Sequence, residues 1–190
     1  ESFQPTFSRC APIERTIEPM SIPPSPPEIE LGPSGRIILQ DLNVALSSNF
    51  GDAKACPSMS KFIATAEEYR QWLVDLLQPE FVILCTARSH RHREATLTRI
   101  AARTGWIPQD ACFNQWSNEA GDGPLEPHQT KERFLVESIF PRYGATPSLY
   151  FAIDSFLHTR TMYRSYGIEC RDANRNDSRP WSTLVQEQER

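Results

Sequence analysis

The sequence predicts an α/β domain built on a doubly wound parallel sheet. Residues 36–41, 81–86 and 149–154 are short apolar runs without polar alternation, the pattern of strands covered on both faces. Segments with apolar residues at helical spacing lie between them. Strand and helix signals alternate along the chain, which favours parallel strands joined by crossover helices.

The elements follow in order. A first strand ends on Asp41. Residues 66–78 repeat apolar positions at helical spacing through Tyr69, Trp72, Leu73, Leu76 and Leu77. Thr65 and Glu68 form a capping-box pattern at its start, and Pro79 closes it. The second strand ends on Thr86. A helix over 93–104 stops at Gly105, and a weaker strand follows near 111–115. Residues 117–127, rich in Gly, Pro, Asn and acids, read as a loop. A helix over 131–140 ends near Pro141, the third apolar run ends on Asp154, and a helix over 157–166 is capped by Gly167. A last short strand covers 168–171. Residues 1–35 form a proline-rich arm containing Ser21-Ile22-Pro23-Pro24-Ser25-Pro26-Pro27, which excludes a helix and favours polyproline II; it reads as a linker or tail, or as an arm lying in a groove of a partner or of its own domain. Residues 173–190 form a polar tail with Trp181, Leu184 and Val185 as anchors. The expected organisation is therefore an arm (1–35), one domain (36–172) and a tail (173–190).

Composition narrows the function. With 190 residues the chain holds one ordinary domain. At 39% hydrophobic it can bury a core, and its net charge of −4 argues against wrapping nucleic acid by bulk charge. No run approaches the roughly 18 apolar residues of a membrane span. The five cysteines are odd in number and contain no Cys-x-x-Cys pair, so neither a disulfide framework nor a zinc site is signalled. This reads as an intracellular, reducing compartment. The start at Glu1, without methionine or a signal-like run, reads as a fragment or a processed product.

Ligands of doubly wound sheets bind at the carboxyl ends of the strands, near the point where strand order reverses. Asp41, Thr86 and Asp154 all fall at that edge. Two carboxylates with a hydroxyl and a lysine nearby suit phosphoryl transfer through Mg²⁺. The acids hold a hard cation through oxygen, one carboxylate can attack phosphorus, and the lysine and hydroxyl hold phosphoryl oxygens.

In this order, strand–Asp41-Leu42-Asn43, strand–Thr86, helix-borne Lys131 and strand–Asp154 resemble the four motifs of the haloacid dehalogenase (HAD) superfamily, over residues 36–171. Thr86-Ala87-Arg88-Ser89 with Arg93, Glu94 and Thr96 is similar to the second motif of polynucleotide 3′-phosphatases and RNA-repair HAD domains. The lysine helix from Thr130 to Tyr143, and Asp154 followed by His158, Tyr163 and Gly167, are similar to their later motifs. The resemblance implies Asp41 as nucleophile, with Asp41, Asp154 and the backbone carbonyl of Asn43 holding Mg²⁺. It further implies Thr86 and Lys131 on the phosphoryl group. Arg88 and Arg93 would meet a nucleotide phosphate or brace the site.

The departures are informative. Family phosphatases carry an aspartate as general acid and base where this chain has Asn43, whose amide cannot transfer a proton at neutral pH. The small Gly-Thr that usually follows is Val44-Ala45, and Ser155 stands where a second acid is common. Asn43 is open to three explanations: natural loss of activity, an engineered trap, or another group acting as acid.

Only about twenty residues, 44–64, separate the first strand's loop from the next helix, a minimal cap that leaves the site open to macromolecules. The cluster Arg88-Ser89-His90-Arg91-His92-Arg93 beside it suits a nucleic-acid backbone, or is a solvated helix start. His90 and His92 are likewise candidate metal ligands or an anion-facing loop. The expected function is a Mg²⁺-dependent phosphohydrolase acting on 3′-phosphorylated RNA or DNA ends, weakened or inactive through Asn43. The alternative is a catalytically dead HAD domain that binds a protein partner through residues 1–35. A small-molecule nucleotidase would need a larger cap than 44–64 supplies.

Overall fold

The computed structural model describes residues 29–116 and 125–173. Most of the proline-rich arm (1–28), the loop at 117–124 and the tail at 174–190, with the anchors Trp181, Leu184 and Val185, lie outside the described residues.

Five strands form one all-parallel sheet: β1 (Ile37–Asp41), β2 (Phe81–Ser89), β3 (Asp110–Asn114), β4 (Tyr150–Ile153) and β5 (Glu169–Arg171). Their order is β3-β2-β1-β4-β5. The chain thus winds outward from β1 in one direction, returns past it, and winds out in the other. Order reverses between β1 and β4, the place where such sheets bind ligands.

Apolar runs without alternation become strands buried on both faces. Ile38, Val82, Leu84, Phe151 and Ile153 face a core closed by Leu73, Val74 and Leu77 of α2 (Gln71–Leu77) and Ile100 of α3 (Arg93–Thr104). Ile37, Leu39, Ile83, Tyr150 and Ala152 face a second core closed by Phe134 of α4 (Pro127–Phe134), Tyr143 of α5 (Phe140–Tyr143) and Met162 and Tyr163 of α6 (Leu157–Ser165). The two cores are the two faces of one sheet.

The structure corrects the sequence reading at three places. The expected helix over 66–78 is two helices, α1 (Met59–Thr65) and α2, with an irregular stretch between. Thr65 ends the first helix, donating its hydroxyl to the Lys61 carbonyl, instead of capping the second. Glu67 turns inward to a buried arginine and Tyr69 bridges to Ser47, and these contacts override the helical periodicity. The lysine helix begins at Pro127, four residues before Lys131. Pro127 occupies its first turn, where no N–H partner is needed, and Gln129 Oε1 accepts from the Glu126 N–H at 2.9 Å. Pro141 does not end the helical path: a wide turn at Leu135–Ile139 has already broken the regular ladder, and α5 runs on through it.

The third correction concerns the expected boundary at residue 36, which cuts through a packed segment. Ile29 and Leu31 lie against the second core. The Ser34 hydroxyl donates to Glu80 at 2.6 Å. A methyl group on Gly32 would sit 2.3 Å from the Pro79 carbonyl oxygen and 2.5 Å from Glu80 Cα. Both obstacles are backbone, so Gly32→Ala should destabilise the domain by about 1–3 kcal/mol. A urea titration checks this, and an unchanged midpoint would show that the segment peels away freely.

Candidate functional site

Register places the expected site residues together. Asp41 closes β1 opposite Cys85 of β2, while Gln40 pairs with Ile153 of β4, so Asp154 emerges level with Asp41. From α4 on the second face, Lys131 reaches between them. Its Nζ donates to Asp41 Oδ1 at 2.6 Å and to Asp154 Oδ2 at 2.5 Å. All three side chains are at least nine-tenths buried.

These groups form the floor of a cleft of about 170 Å³, with Asn43, Ser155, Val44, Phe50, Ala87, Pro127 and Phe156 around it. Two carboxylates against one ammonium leave the floor net negative. Burial raises the Asp41 carboxyl, and the Asp154 charge adds to this; Lys131 opposes but does not cancel it, so the pKa is pushed up to about 7. For Lys131, burial alone would lower the pKa, but the Asp154 and Asp41 charges outweigh it and hold the ammonium above the ordinary lysine value.

The loop after Asp41 is strained. Asn43 is extended (φ −71°, ψ 129°), and Val44 has φ 67°, a left-handed conformation that a β-branched residue rarely adopts. Arg70 donates to the carbonyls of Val44 and Ala45 and holds this turn in place.

Other expected site residues lie elsewhere. Thr86 is fully buried beside the cleft, outside its lining, and its Oγ1 accepts the Arg88 N–H at 3.1 Å. Arg88, expected to meet a nucleotide phosphate or brace the site, does the second. Its guanidinium is buried in a two-point pair with Glu67, at 2.5 and 2.9 Å, and donates also to Thr96 and to Asn43 Oδ1 at 3.0 Å. The reason is Glu67, whose fully buried carboxylate requires a counter-charge. The basic cluster is thereby reduced as an outward surface. His92 is buried, and burial together with Arg91 and Arg88 lowers its pKa. Arg91 stays exposed and donates to His92 Nε2, while Arg93 is half-buried at the start of α3.

Sequence reasoning missed Glu67 because it sits within an apparent helix, where an acid reads as solvated. It also missed Phe50, in the insertion after β1, and Phe156, just past β4, since an isolated aromatic reads as core. Among the described residues no group of three or more His, Cys, Asp and Glu side chains is placed to hold a metal. The oxygen donors that the resemblance implies, Asp41, Asp154 and the backbone carbonyl of Asn43, belong to residues that line the cleft. No described helix is long and apolar enough to cross a membrane. Neither a protein-family model nor a curated protein matches the chain.

Two stability predictions follow from the strained, charged floor. Val44→Gly should stabilise the domain by about 1 kcal/mol, because relief of strain worth about 1–3 kcal/mol exceeds glycine's entropic cost; a fall in Tm would overturn this. The native state retains the Asp41 proton over a range where the unfolded chain has released it. Stability contributed by Asp41 is therefore lost as pH rises from near 3.8 to about 7. In EDTA, Asp41→Asn should raise stability by at least about 1 kcal/mol at pH 8 and change it little near pH 4. Equal effects at both pH values would mean that the carboxylate is not perturbed.

Proposed function

We propose that this domain is a HAD-type phosphohydrolase in which Asp41 accepts a phosphoryl group, with 3′-phosphorylated nucleic-acid ends as the substrate class and turnover curtailed by Asn43. One observation carries the reading: Asp41, Asp154 and Lys131 converge within hydrogen-bond reach at the switch point of a parallel sheet. An α/β sheet does not need three buried charges at that edge for its stability.

The donor set fits Mg²⁺. Asp41, Asp154 and the Asn43 carbonyl are hard oxygen donors, and the raised Asp41 carboxyl marks a floor that one ammonium leaves undercompensated. With so few protein ligands the ion would keep several waters. When bound it would neutralise phosphate charge against the acidic floor. The chain's own residues supply the rest. Asp41 Oδ attacks phosphorus, the P–O bond to the substrate alcohol breaks, and an aspartyl-phosphate results. Lys131 donates to a phosphoryl oxygen as that charge builds.

Proton transfer is the weak link. The departing alkoxide needs a proton, and hydrolysis of the aspartyl-phosphate needs a base. Asn43 can do neither, and its side-chain amide oxygen Oδ1 already accepts from Arg88. The same observation favours a second reading, in which the site binds phosphate without turnover and the domain serves assembly.

A Mg²⁺-dependent phosphatase assay on 3′-phosphorylated oligonucleotides separates the two. Asn43→Asp should raise turnover by about 10²–10⁴-fold, and Asp41→Ala should abolish it in either background. An Asn43→Asp variant that remains silent while phosphate and Mg²⁺ still bind establishes the binding module. Failure to bind phosphate overturns both readings.

A further inference from the structure

The cleft has a charged floor and a largely apolar rim, and the rim is not explained by handling phosphate. Phe156, two residues past Asp154, is 49% exposed. Its position is tied directly to the floor. Asp154 Oδ2 accepts from Lys131, while Oδ1 accepts the Phe156 N–H at 2.8 Å. The aromatic ring is thus carried on the backbone that the site's own carboxylate fixes. Two further rings lie next to it: His158 at 6.2 Å between ring centroids, tilted by 47°, and His128 at 5.8 Å from His158, tilted by 38°, beside the cleft-lining Pro127.

Phe50, contributed by the insertion after β1, lines the same cleft and is braced from behind. Phe62 meets its ring edge-on at 6.3 Å, and the Arg88 guanidinium lies 5.9 Å from its centroid. One aromatic is therefore rigidly backed, and the other is half exposed at the cleft edge. The outward basic surface expected on the α3 side is reduced, because Arg88 and His92 are buried while His90, Arg91 and Arg93 remain wholly or partly exposed. A chain of net charge −4 gains less from tracking a long phosphate backbone than from stacking, which needs no cationic path.

We infer that Phe156, with Phe50, forms a stacking subsite that selects phosphomonoesters whose alcohol carries a flat aromatic base within one sugar's reach of the phosphate. His158 and His128, tilted relative to Phe156, offer separate ring contacts to a neighbouring base. The inference rests on the phosphate-binding reading of the floor and adds the specificity element. Two sources supply this chemistry: a free mononucleotide, or the last nucleotides of an unpaired strand end.

Calorimetric titration of the whole chain in Mg²⁺ tests it, with inorganic phosphate, glycerol 2-phosphate, 3′-AMP and a 3′-phosphorylated trinucleotide as probes. The 3′-AMP should bind about tenfold more tightly than glycerol 2-phosphate, as expected for one stacked base. That margin should vanish in Phe156→Ala, shrink in Phe156→Leu and persist in Phe156→Trp, with the Phe62–Phe50 contact and the circular-dichroism spectrum unchanged. Tighter binding of the trinucleotide than of 3′-AMP, reduced by His158→Ala, assigns the strand end; equal affinity assigns the free nucleotide. Equal affinity of 3′-AMP and glycerol 2-phosphate, or a margin that survives Phe156→Ala, overturns the stacking subsite while phosphate binding to the floor stands. Absence of binding by inorganic phosphate and all three esters overturns the phosphate reading and the subsite with it.

Discussion

The ammonium of Lys131, held between two buried carboxylates, is the constraint on which the rest of the structure depends. It joins β1, the residue beyond β4, and α4, so two parallel strands and a helix from the second face must arrive in one register. Burying three charges costs several kcal/mol per ion, and mutual attraction returns that only with good geometry. The cost is offset by the apolar layers on both faces of the sheet, which are continuous beneath the site. The early start of α4 is part of the same constraint. Beginning at Pro127 puts Lys131 in the second helical turn, rigidly placed, instead of at a fraying first residue.

A second buried pair, Glu67 with Arg88, stands behind the first. It fastens the stretch between α1 and α2 to the end of β2 and reaches the loop after β1 through Asn43. Arg99 reinforces it by donating to the Glu67 carbonyl. The chemistry at position 43 is therefore not set by residue 43 alone. A carboxylate there would face a guanidinium already committed to Glu67, sharing one cation between two anions. Such sharing leaves the new carboxyl less stabilised in its charged form than a simple ion pair would, which keeps it closer to the pKa a general acid requires.

How much of this was legible in the sequence depended on how locally each feature is specified. The strands ending at Asp41, Thr86 and Asp154 could be read because unbroken apolar runs report burial on both faces irrespective of context. Their adjacency followed from the alternation of strands and helices. Lys131 could be singled out, but not its position within its helix, since the stabilising Pro127 and Gln129 lie in a polar stretch that reads as loop. The pairing of Glu67 with Arg88 was illegible for a different reason, although Arg88 itself stood out. Each has the sequence character of a solvated charge, and only the fold makes them partners across 21 residues of chain. The strain at Val44 was invisible too, because dihedral strain is imposed by the surroundings and not by residue type.

The distribution of physical cost bears on which functional reading is stronger. Asp41 carries a carboxyl raised by burial, Val44 a left-handed backbone, and Phe156 an aromatic ring left half in water. All three lie in the lining of one cleft. Outside that lining, among the described residues, the positive φ values fall on glycines, at 35, 105, 144 and 167, and the exposed large apolar residues are Trp72, Ile107, Val136 and Leu157. Buried ion pairs and triads can often be exchanged for well-packed apolar residues with no loss of stability, so scaffolding alone does not call for Asp41, Asp154 and Lys131. Uncompensated charge, strained backbone and exposed aromatic surface gathered at a switch point are what a ligand-handling site requires. On the proposed phosphohydrolase reading, Asn43 cannot carry the proton, while the acidic floor, the lysine and the aromatic wall would still hold a phosphorylated substrate.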